Sequence, residues 1–86
     1  MDYRFWPLFV YRVDAIMVLS AAKQYIETHG IVTIKQFKEW TGEEVRSEDK
    51  LFGWTDLDDA YVDRKNHGYE LVLPNMRKLK PIKLKH

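Results

Sequence analysis

The sequence predicts a small α+β domain with two to three helices and a C-terminal β-hairpin. Three observations carry this. Apolar residues recur at helical spacing between positions 15 and 26. Gly30 and Gly42 punctuate the first half, with a Thr33–Gln36 capping signal between them. Two β-like runs flank Asn66-His67-Gly68.

Eighty-six residues form one domain. A chain this short buries only about 60% of its unfolded surface, so its core is marginal. Three Trp, five Tyr and four Phe compensate. Each removes about 150–250 Å² from water when buried. With 45% apolar and 31% charged residues, the composition argues against disorder. The absence of cysteine excludes disulfides, thiolate chemistry and sulfur-ligated zinc. A small domain without such staples suits a reducing compartment, so the expected location is cytoplasmic.

The elements follow in order. Residues 3–10 are aromatic and contain Pro7, and Phe5-Trp6 and Leu8-Phe9 break the alternation of a strand. The segment reads as an extended arm packed on the domain; an exposed version would be a dimer contact or a partner-binding patch. Residues 5–22 resemble a signal peptide, ending in Ser20-Ala21-Ala22. Arg12 and Asp14 interrupt the run, and the charge-free stretch from Ala15 to Leu19 is too short. A folded core segment is expected, and no membrane role.

The first helix places Ala15, Val18, Leu19, Ala22, Tyr25 and Ile26 on one face. Asp14 suits its start, His29 its last turn and Gly30 its left-handed stop. Ile31-Val32 is a short β step. The second helix runs from Ile34 to Trp40 or Thr41 behind the Thr33 cap and ends at Gly42. It turns Ile34, Phe37 and Trp40 (or Thr41) toward the core. A third short helix, capped by Ser47 and stopped by Gly53, fits residues 43–53. Thr55 and Asp58 repeat the cap spacing, which suggests a helical turn over residues 56–60.

In the hairpin, a three-residue loop pairs Arg64 with Glu70 and Val62 with Val72. That register is preferred because the alternative opposes Asp63 to Glu70. Pro74 ends the sheet. The domain therefore spans residues 1–74, and residues 75–86 form a basic, loosely docked tail.

Charge is unevenly spread. Residues 43–63 hold eight acids against Arg46 and Lys50, while residues 75–86 hold five basic residues and no acid. Asymmetry of this kind speaks to partners.

The run from Ala21 through Gly30, Val32, Thr33, Ile34 and Trp40 to Gly42, followed by the hairpin, resembles a winged helix-turn-helix domain. The resemblance spans about residues 14–74, and the hairpin around Asn66-His67-Gly68 would be the wing. It implies nucleic-acid binding through the element after the second glycine. Here that element holds Glu43, Glu44, Glu48 and Asp49 against two cations. Phosphate contacts need Lys and Arg, so the usual face is unsuited to a duplex.

No residue pattern marks a catalytic site, metal centre or cofactor. His29, His67 and His86 lack ligand spacing. Asp56, Asp58, Asp59 and Asp63 lack the continuation of a calcium loop. Ser20 and Ser47 lie in no nucleophile motif, and the isolated glycines form no phosphate cradle. Trp6, Trp40 and Trp54 suit the core or its edge, with Trp54 the best candidate for an exposed anchor beside the acids.

The expected function is therefore non-enzymatic: a small adaptor or inhibitor whose acidic face engages a basic, nucleic-acid-binding protein. The contact residues would be Glu43, Glu44, Glu48, Asp49, Trp54, Asp56, Asp58, Asp59 and Asp63. The alternative is a nucleic-acid-binding winged helix using Lys35, Lys38, Arg64, Lys65, Arg77, Lys78 and Lys80. The sequence leaves the oligomeric state open.

Overall fold

The computed structural model describes residues 3–78, the side chains of Tyr3 and of Phe5, Trp6 and Pro7 excepted. Trp6 as a core side chain, and Lys80 with the rest of the tail, thus lie outside the described residues. The class is α+β, with two α-helices, one short 3-10 helix and two three-stranded antiparallel sheets among the described residues.

The arm is a strand, β1 (Tyr3–Phe9). It pairs antiparallel with β5 (Gly68–Leu73), and β5 pairs with β4 (Tyr61–Lys65). The broken alternation that argued against a strand is absorbed by a shift in register between Phe5 and Phe9. Pro7 lies inside the shift, where a strand tolerates a residue without an N–H.

α1 (Arg12–His29) begins two residues before Asp14, with Tyr11 at its N-cap and no side-chain cap. Asp14 sits in the first turn, favourably placed on the helix dipole. Gly30, at φ 84°, closes the helix by donating its N–H to the Ile26 carbonyl at 2.6 Å. β2 (Val32–Thr33) leads into α2 (Ile34–Thr41). Thr33 Oγ1 accepts from the Gln36 N–H, as its spacing predicts.

After Gly42 the structure departs from expectation. Residues 43–46 have no regular structure, and the third helix is a 3-10 helix, Ser47–Leu51, capped from Arg46 and not Ser47. Gly53 is not its stop. Gly53 lies inside β3 (Phe52–Trp54), which pairs with β2 on one side and β6 (Arg77–Lys78) on the other. The described start of the basic tail thus joins a sheet through Arg77 and Lys78. Residues 56–60 form a turn rather than a helical turn. Asp56 Oδ1 accepts from the Asp58 N–H at 2.7 Å, and the Ala60 N–H donates to the Leu57 carbonyl at 3.0 Å.

The core lies between α1, α2 and the inner faces of the sheets. Ala22, Val32, Ile34, Phe37, Trp54, Leu57, Leu71 and Leu73 form one buried cluster. Trp40 is 38% exposed at its edge, its ring edge-on to both Phe37 and Tyr25.

The hairpin takes the register that charge had argued against. Asp63 stands opposite Glu70, Val62 opposite Leu71 and Arg64 opposite Tyr69. The repulsion is relieved by cations that a two-strand view omits. Arg4 on β1 donates to Glu70 Oε1 at 2.5 Å and lies 4.0 Å from Asp63. Lys65 lies 3.1 Å from Asp63 and 3.7 Å from Glu70. Two cations thus hold two facing carboxylates. Arg4→Ala is expected to lower the melting temperature in low salt, and less so in 1 M salt, where ~3 Å screening weakens the uncovered repulsion. A melting temperature unchanged in low salt would show that the cluster is energetically idle.

Candidate functional site

The structure divides the acidic run into three environments. Asp49, on the 3-10 helix, is buried, with 6% of its surface exposed. Its carboxylate accepts the Arg46 N–H at 2.7 Å and pairs with Lys38 Nζ at 2.9 Å. Its role is structural: it caps the 3-10 helix and ties it to α2. Desolvation, the largest single influence, pushes this carboxyl up. The Arg46 N–H and the Lys38 ammonium together outweigh it and hold the carboxyl below its ordinary range.

A depressed folded-state pKa gives stability that is present above the unfolded pKa. It is lost as pH falls through the folded one. Asp49→Asn is expected to flatten part of the acid limb of the stability profile. Asp49→Ala should cost about 1–2 kcal/mol near neutral pH, from the lost cap and pair. Urea titrations between acidic and neutral pH measure both; parallel profiles for Asp49→Asn and the unaltered protein would contradict the assignment.

Asp63 belongs to the Arg4–Lys65–Glu70 cluster on the outer face of the first sheet. Its charge is met by the molecule's own cations. This separates Asp49 and Asp63 from the outward-facing acids.

The remaining carboxylates are presented differently. Glu44, Glu48, Asp56, Asp58 and Asp59 are exposed and Glu43 is half-buried; none forms an ion pair among the described residues. The turn after β3 gathers three of them. Asp56 and Asp59 line an open cleft of about 440 Å³ with Pro74 and Arg77. Asp56 and Asp58 line a smaller hollow against Lys23 and Glu27 of α1. Arg77 lies in the cleft but forms no ion pair with either aspartate. Glu43, Glu44 and Glu48 line neither hollow, so one continuous acidic face is replaced by a focused turn and a separate flank.

Trp54 is not an exposed anchor. Only 2% of it is accessible. Its ring meets Phe37 edge-on at 5.4 Å, and its Nε1 donates to the Pro74 carbonyl at 2.7 Å. A tryptophan between Gly53 and Thr55 looks exposed only while the return of the chain at Pro74 is unseen.

The cations of the nucleic-acid alternative are scattered. Lys35 and Lys38 are on α2, Arg64 and Lys65 on β4, and Arg77 and Lys78 on β6. Lys38 is engaged by Asp49, and Lys65 by Asp63 and Glu70. Among the described residues no three His, Cys, Asp or Glu side chains gather as a metal site. No described helix is long and apolar enough to cross a membrane.

Sequence reasoning allowed for an exposed arm as a contact patch, but it did not foresee the apolar surface that Tyr11, Val13 and Met17 extend where β1 meets α1. Val10, Tyr11, Val13 and Met17 are largely exposed there. The signal was present in the aromatic arm and in Val13 and Met17, one helical turn apart, off the line of the core residues. In comparisons with known proteins, no protein-family model, no curated protein and no solved structure matches the chain.

Proposed function

We propose that the protein is a non-enzymatic binding module, an adaptor or inhibitor that engages a basic protein through the acidic turn at residues 56–59. The observation that carries this reading is the exposure of Asp56, Asp58 and Asp59 on one turn, beside a cleft and without ion pairs among the described residues. Like charges held together in this way are relieved by a cationic surface, which also speeds encounter. Glu44 and Glu48 extend the surface; Asp49, Asp63 and Trp54 do not take part.

The winged-helix resemblance rests on α1, β2, α2 and the β4–β5 hairpin in sequence. The element after Gly42 is acidic and non-α-helical, so the reading does not use it as a recognition helix. A protein that itself binds nucleic acid through a basic surface suits the acidic turn as a partner.

The test is the double variant D58K/D59K, which spares the Asp56 cap. The immobilised 86-residue chain should retain a basic partner from cell extract at low salt, and the variant should retain it at least about tenfold less. Equal retention by both proteins would overturn the reading.

A further inference from the structure

At the corner between β1 and α1 the chain leaves an apolar surface uncovered. Val10, Tyr11 and Met17 are 73%, 66% and 63% exposed. They line a groove of about 560 Å³ together with Trp40 and Thr41 of α2. Helical geometry explains the pattern. At 100° per residue, Val13 and Met17 lie nearly in line on the side of α1 away from buried Ala15 and Ala22. Farther along the same side, Ser20, Ala21 and Gln24 are exposed, uncharged and modest in size.

The charges beside this stripe select its occupant. Arg12 lies on one side of Val13 and Asp14 on the other. Both are exposed, and neither forms an ion pair among the described residues. A patch with one cation and one anion around an apolar line favours neither an acidic nor a basic partner. It is complementary to itself, because a two-fold interface makes every contact twice.

We propose that this corner is a homodimer interface. The Val13–Met17 stripes of two copies pack about a two-fold axis running along α1. The Arg12 flank of each copy then meets the Asp14 flank of the other, and the groove beside Trp40 is covered. From Val13 to Gln24 this line is uncharged, and over that length the two helices run side by side without a charge clash.

The experiment is sedimentation equilibrium of the full chain from about 1 μM to about 1 mM, a range that covers micromolar dissociation constants. The unaltered protein should be dimeric in the upper part of the range, and M17E monomeric with an unchanged circular dichroism spectrum. R12E and D14R should each weaken the dimer about tenfold or more, because each places like charges across the interface. The combined variant R12E/D14R should restore it, and an equimolar mixture of the single variants should form mixed dimers. A monomer throughout the range, a dimer indifferent to M17E, or failure of the combined variant to recover would each overturn the proposal. The acidic turn is elsewhere on the molecule, so D58K/D59K should leave the dimer intact, and loss of one property does not imply loss of the other.

Discussion

Trp54→Ala is expected to cost about 3–5 kcal/mol, the usual range for removing a large aromatic from a packed interior. That is a large share of the 5–15 kcal/mol that holds a small domain together. The ring is 98% buried by its 2% exposure, sits edge-on to Phe37 and occupies a β3 position paired with Val32. It also supplies the hydrogen bond to the Pro74 carbonyl, which fastens the end of β5 to the second sheet. Trp54→Phe keeps the ring and loses the donor, so it should cost less, about 1–3 kcal/mol. Urea unfolding followed by circular dichroism measures both. A Trp54→Ala midpoint close to that of the unaltered protein would refute the central place given to this side chain.

Gly53→Ala, one residue earlier, is expected to be nearly as damaging despite adding a single methyl group. A Cβ at Gly53 would collide with the Val32 carbonyl oxygen and come within 2.9 Å of Thr33 Cα and 3.1 Å of Val32 C. All three obstacles are backbone, and β2 can yield only by moving away from β3. Overpacking of this kind costs about 1–3 kcal/mol and sometimes more, and an immovable backbone places Gly53→Ala at the upper end. The control is Gly30→Ala, where nothing lies within 4 Å of the added methyl and only the left-handed φ of 84° resists. That change should cost about 1 kcal/mol. If the two alanine variants unfold at the same urea concentration, the close approach of β2 and β3 is not the constraint described.

These two residues show where the fold was legible. Signals that act within a few residues read correctly: Gly30 and Gly42 end helices, Thr33 caps α2, and Pro74 follows the last residue of β5. Contacts over longer distances did not. Gly53 reads locally as a helix stop because its strand is three residues long and its neighbours, β2 and β6, are two each. The hairpin register was misjudged because Arg4, which neutralises Glu70, lies 66 residues away along the chain. The acidic run was visible, but not its division. Asp49 is drawn inward by Lys38, Asp63 is drawn into a sheet-face cluster, and residues 56–59 gather acids around a cleft.

The pairing of β1 with β5 also sets an order of assembly. Residues 3–9 leave the ribosome well before their hydrogen-bonding partner, Gly68–Leu73. Until that stretch emerges, β1 is a strand without a ladder, exposed to pairing with whatever edge it meets. The hydrogen bonds of α1 and α2 are local, whereas closure of the first sheet waits for a distant encounter and should set the pace of folding.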